Sequence, residues 1–188
     1  MDLPGELLIR HTGAISVRGN VSALAHDINA TGDVTIGGAD AQSATLLYAP
    51  GAVSISTPGS IIVRGGSAPG SSAQITGHAP MDISAGGDVS IMGGSGDGAF
   101  ARILGYSDIK LTVGGFITLG AGTGLDSWAR IQTASRDSVI TLNFPNLASG
   151  GYFVNGIEGL LRDGHTGFLS GNGVAAPGHQ LITIYGAP

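Results

Sequence analysis

The chain has no cysteine and only one lysine, Lys110. Without cysteine there is no disulfide, no thiolate nucleophile and no zinc-finger site, so stability has to come from packing. Eight basic residues against thirteen acidic ones leave a net charge of -5. No basic stripe of the kind that neutralises phosphates is present, and nucleic acid is not an expected partner. Aromatic residues make up 5% of the chain, too few for the girdles of an outer-membrane barrel. Apolar runs are short and broken by glycine, so no transmembrane segment is expected. The stretch MDLPGELLIRH lacks a basic segment leading into an apolar one, and no secretion signal is expected there.

Glycine is abundant, at 34 of 188 residues, and 42% of residues are hydrophobic. That much apolar surface argues for a folded chain. The glycines mark a repeat. Gly32 opens GDVTIGG, Gly59 opens GSIIVRGG, Gly87 opens GDVSIMGG and Gly115 opens GFITLGAG, at steps of 27 or 28 residues. Stepping back by 27 reaches Gly5 of GELLIR, which reads as a first copy.

Two further segments keep the same phase. One is Ala44-Thr45-Leu46, Ala73-Gln74-Ile75, Ala101-Arg102-Ile103 and Ala129-Arg130-Ile131. The other is His26-Asp27-Ile28, Val53-Ser54-Ile55, Met81-Asp82-Ile83, Ile109-Lys110-Leu111 and Ile140-Thr141-Leu142. Ile15-Ser16-Val17 aligns only loosely as the first copy's middle segment. Apolar, variable, apolar is the alternation of a strand with one face inward. Three such strands at constant phase are satisfied by one coil of chain per repeat, with equivalent strands stacked in parallel.

The expected fold is therefore all-β: a right-handed parallel β-helix of about five coils of 27–28 residues, starting near Gly5, Gly32, Gly59, Gly87 and Gly115. Residues 1–145 form the repeats. Residues 146–188 break the phase and read as a C-terminal capping segment, with strands at Tyr152–Val154 and Leu181–Tyr185 and a turn of helix around Ile157–Arg162. Val34, Ile61, Val89 and Ile117, with Ile36, Val63, Ile91 and Leu119, are the expected interior ladders, while Thr35, Ile62, Ser90 and Thr118 face out. The glycine pairs at 37–38, 65–66, 93–94 and 114–115 are expected to supply unusual corner angles.

The pattern Gly87-Asp88-Val89-Ser90-Ile91, Ala101-Arg102-Ile103, Asp108-Ile109-Lys110-Leu111 and its copies resemble the passenger repeats of filamentous-haemagglutinin-type two-partner secretion exoproteins. The resemblance spans residues 5 to about 142. It implies a β-helical fibre exported through an outer-membrane transporter of a Gram-negative bacterium, secreted or held at the cell surface, where it serves adhesion or spacing and meets a glycan or protein on a host or neighbouring cell. On this reading the chain is a piece of a longer exported passenger, not an enzyme, and needs no cofactor. Asn143-Phe144-Pro145-Asn146-Leu147 is only a distorted echo of that family's secretion signature.

The alternative class is a polysaccharide-degrading β-helix enzyme. Stacking puts Asp27 and Asp82 in one outward column and Asp33 and Asp88 in another, with neutral residues between them and no third group to tune either acid. A solvated face with an Asp82–Lys110 pair is the plainer reading.

Arg102 and Arg130 are the candidate ligand-binding residues, with Trp128 beside them. Adjacent coils hold two like charges together, which calls for compensation. A carboxylated or sulfated sugar clamped by both would supply it. Asp97 and Asp126 in the preceding loops would also, and that pairing is the favoured reading. Trp128 reads as half-buried packing or as a platform for a sugar. Gly122-Thr123-Gly124-Leu125-Asp126 nearly fits a calcium nonapeptide, which makes Asp97 and Asp126 weak calcium candidates; tandem nine-residue copies are missing, so no metal is expected. The histidines at 11, 26, 78, 165 and 179 have no metal-ligand spacing.

Overall fold

The computed structural model describes residues 1–40, 45–135 and 138–145, and beyond these the backbone of Gly151–Val154, Ile157–Gly159, Leu169–Ser170 and Leu181–Gly186. Among the described residues there is strand and turn but no helix. Three parallel sheets wind into a β-solenoid with three strands per coil.

Sheet I stacks Leu7–His11, His26–Ala30, Val53–Thr57, Met81–Ala85, Ile109–Val113 and Val139–Phe144. Sheet II stacks Ile15–Val17, Val34–Gly37, Ile61–Arg64, Val89–Met92 and Phe116–Gly120. Sheet III stacks Val21–Ser22, Thr45–Ala49, Ser72–Gly77, Phe100–Gly105 and Trp128–Thr133. Strands from Leu7 to Thr133 make five successive passes through sheets I, II and III.

The interior ladders stand as the alternation predicts. Val34, Ile61, Val89 and Ile117 pair in register, as do Ile36, Val63, Ile91 and Leu119, and all eight are fully buried. Ile28, Ile55, Ile83, Leu111 and Leu142 fill sheet I the same way. Each such side chain contributes about 1.5–3 kcal/mol by leaving water. The third sheet completes one continuous core with Leu47, Ile75, Ile103 and Ile131.

Two registers differ from the expected ones. GELLIR is not a copy of GDVTI: Leu7 pairs with His26 and Ile9 with Ile28, which puts that strand in sheet I, while Ile15–Val17 pairs with Val34–Ile36 in sheet II. The first coil thus takes 19 residues from Leu7 to His26 and does not start near Gly5. In sheet III, Thr45 pairs with Ala73 and Leu47 with Ile75, one residue out of step with an alignment that matches Leu46 to Ile75. A one-residue slip exchanges the inward and outward sets, and the fully buried residue is Leu47.

The corner glycines also work differently from expectation. Of the four pairs, only Gly37 and Gly38 adopt positive φ, 83° and 152°. At Gly94 and Gly114 the need is space: a Cβ would collide with the carbonyl oxygens of Gly66 and Gly86, one coil back.

The Gly-Asp signature has a vertical logic. Asp33 Oδ1 accepts the Ser60 N–H at 2.8 Å, Ser60 Oγ accepts the Asp88 N–H at 3.1 Å, and Asp88 Oδ1 accepts the Phe116 N–H at 2.9 Å. A Cβ on Gly59, Gly87 or Gly115 would meet those same oxygens. The glycine admits an oxygen from the previous coil, and the next residue sends its own oxygen onward.

At the C-terminal end the parallel repeat is interrupted. Gly151–Val154 continues sheet II in parallel, but Ile157–Gly159 turns back antiparallel to it, so the expected helical turn begins as a strand; residues 160–162 lie outside the described residues. Leu169–Ser170 pairs antiparallel with Arg130–Ile131 of sheet III, and Leu181–Gly186 adds in parallel to sheet I. Tyr152–Val154 and Leu181–Tyr185 are strands, as the sequence predicts.

Candidate functional site on the outer face of sheet III

Along Phe100–Gly105 the inward residues are Ala101 and Ile103, both fully buried, so Phe100 and Arg102 stand on the outer face. One coil on, Trp128 and Arg130 repeat them in direct register. The Phe100 and Trp128 rings stack with centroids 4.3 Å apart and planes 3° from parallel. Each ring has a guanidinium over it: Arg102 Cζ lies 5.6 Å from the Phe100 centroid, and Arg130 Cζ lies 4.8 Å from that of Trp128. Both are within cation–π range.

Gln74 precedes Arg102 in the column, and its Oε1 accepts from Arg102 Nε at 2.7 Å, while its own amide donates to Ser72 Oγ at 3.0 Å. Burial pulls the Arg102 pKa down; nearby Tyr106 opposes that shift and the Arg130 charge adds to it. The two cations therefore sense each other.

The expected compensation by loop acids is not what the structure shows for Arg102. Asp97 Oδ1 instead accepts the Leu125 N–H of the next coil at 3.1 Å. Asp126 holds a turn with φ of 55°, a position filled by Gly70 and Gly98 in the two preceding coils at 68° and 67°. Among the described residues no group of three or more His, Asp and Glu side chains converges on one point.

A second aromatic column lies beyond Leu104, in the turns that follow the sheet III strands. His78 stacks on Tyr106 at 4.2 Å and meets Tyr48 edge-on at 5.4 Å, with Tyr48 Oη 3.3 Å from His78 Nε2. Thr76 and Leu104 sit between the columns and are buried, although they lie outside the core cluster. The sequence reading singled out Trp128, Arg102 and Arg130 but missed Phe100, Gln74 and the Tyr48–His78–Tyr106 column. The signal was available: Phe100 and Trp128, like His78 and Tyr106, are 28 residues apart.

The outward acids of sheets I and II have structural partners. Asp27 is bound to Arg10 at 2.6 Å, and that hydrogen bond holds its carboxyl below the usual range. Asp82 is bound to Lys110 at 3.1 Å. A shallow depression of about 300 Å³ beside Asp82 is lined by Asp108, whose Oδ1 accepts the Val139 N–H at 2.9 Å, and by Lys110 and Thr141.

These features define a β-solenoid with a cationic, aromatic strip on one sheet. No family model, no curated protein and no solved structure matches the chain.

Proposed function

We propose that the chain is a non-catalytic structural and adhesive segment of a bacterial exoprotein passenger of filamentous-haemagglutinin type, secreted or displayed at the cell surface, which contacts glycan through the outer face of sheet III. The observation that carries this reading is the paired Phe100–Trp128 stack with Arg102 and Arg130 over its rings. It repeats in register over two coils, which suits a polymeric ligand more than a small substrate. The vertical hydrogen bonds of Asp33, Asp88, Asp97 and Asp108 and the ion pairs of Asp27 and Asp82 support a non-catalytic role, because glycoside cleavage needs two carboxyl groups committed to one bond. The absence of cysteine suits a chain exported unfolded through an outer-membrane transporter.

The test is retention of the protein on immobilised polysaccharides, alongside an assay for newly released reducing ends. Retention that falls when Arg102 and Arg130 are both replaced by Ala, with no release of ends, supports the proposal. Retention unchanged by the double substitution removes the strip as the contact surface, and release of ends replaces adhesion with catalysis.

A further inference from the structure

We infer that the strip selects an acidic polysaccharide, whose carboxylate or sulfate groups meet Arg102 and Arg130 across two adjacent coils. This rests on the glycan-binding reading above and adds the charge of the ligand.

The first argument is what the aromatic residues have left to offer. One face of Phe100 and one face of Trp128 are spent on each other, at 4.3 Å and 3°. A guanidinium lies over each ring as well. The flat apolar surface that would pack against an uncharged sugar ring is therefore committed within the protein. The exposed part of such a column is ring edge, the positive rim of the aromatic quadrupole. Edge and guanidinium both favour oxygen-rich, negatively charged groups.

The second argument is the charge itself. Arg102 and Arg130 are directly opposite in the ladder, an arrangement that is unfavourable in the free protein. Among the described residues no carboxylate pairs with Arg102, and Gln74 takes only its Nε. A guanidinium keeps a second, planar pair of donors for a carboxylate or sulfate. Bound anions one coil apart, about 4.8 Å, would turn the repulsion into attraction. The protein's net charge of -5 confines this preference to the strip and makes it sensitive to salt.

Trp128 is the only tryptophan, so its emission reports on the strip directly. The full chain is titrated with polygalacturonate, dextran sulfate, neutral dextran and a single-stranded oligothymidylate. Binding of one or both acidic polysaccharides at least ten-fold tighter than dextran, weakened ten-fold or more in R102Q and R130Q and partly restored in R102K, supports the inference. The stronger of the two acidic arms identifies carboxylate or sulfate. Dextran bound as well as the acidic polymers overturns the charge selection but leaves glycan adhesion standing. No response to any polysaccharide removes both. Tighter binding of the oligothymidylate reassigns the strip to nucleic acid and overturns the inference. Far-UV circular dichroism separates lost binding from lost fold in each variant.

Discussion

The carboxylate of Asp88 occupies the space in which a Cβ on Gly115 would sit, and from there it accepts the Phe116 N–H at 2.9 Å. The glycine and the acid, one coil apart, are one device. D88A removes the acceptor and is expected to cost about 1 kcal/mol, the scale of one net hydrogen bond. G115A pushes the same carboxylate out of reach and should cost a comparable amount. Because both changes break a single interaction, the double variant should cost clearly less than the sum of the two. Urea denaturation of the four proteins measures this; simple additivity would show that glycine and acid act separately.

Asp126 is the one described non-glycine residue with positive φ, 55°, where Gly70 and Gly98 precede it. An L side chain there costs about 1–2 kcal/mol, somewhat less for Asp. D126G should therefore stabilise the protein by roughly 1 kcal/mol, even though glycine carries more entropy in the unfolded chain. The converse change, G98A, meets no atom within 4 Å of the new Cβ, so its cost is backbone strain alone. A thermal melt that shows D126G unchanged or lowered would mean that the carboxylate contributes something that offsets the strain.

How much of this was legible in the sequence follows from what the repeat encodes. Parallel stacking demands equal coil lengths, so the 28-residue phase placed Val34 over Ile61 and Ile75 under Ile103 without further help. Where the length changed, the reading failed. LLIR alternates apolar residues as well in sheet I as in sheet II, and only the shortened first coil decides between them. Leu46 and Leu47 are adjacent leucines, and either satisfies the pattern. The antiparallel strand at Ile157–Gly159 carried a missed cue, since Asn155-Gly156 between two apolar segments favours a hairpin over a helix. For the candidate site, inward positions obey a rule and outward ones do not. Arg102 and Arg130 were visible as a column, but whether Asp97 faced Arg102 or capped Leu125 depended on loop geometry that no spacing records.

Close approach of coils gives the corner glycines a cost of a different size. A Cβ on Gly94 would fall on the Gly66 carbonyl oxygen, and backbone on both sides of that contact is fixed by the ladders. G94A is expected to destabilise by about 3 kcal/mol, the upper range for overpacking, and to broaden the transition as neighbouring coils part. G98A, four residues on and free of contacts, is the control with the smaller loss. Equal melting shifts for the two would contradict the steric account.

His26 is buried at a sheet I position that Val53, Met81, Ile109 and Ile140 fill in later coils. Its Nε2 donates to the Tyr48 carbonyl at 2.7 Å, while Nδ1 is enclosed with no hydrogen-bond partner, so a second proton would have no acceptor. Burial lowers the pKa of the ring below its unfolded value of about 6.5, against a smaller opposing effect of the Tyr48 carbonyl. The unfolded chain takes up the proton first. The contribution of His26 to stability is therefore complete above pH 6.5 and is lost as pH falls through the folded-state value, at about 1.4 kcal/mol per unit of pKa difference. The neighbouring charges, Asp27 and Arg10, form an exposed pair whose carboxyl is held low by the hydrogen bond to Arg10, so its loss belongs to pH below about 3.9 and does not overlap. Urea denaturation at pH 7.5 and 5.0 should show the wild type losing stability and H26V nearly none; an equal loss in H26V would place the acid sensitivity elsewhere.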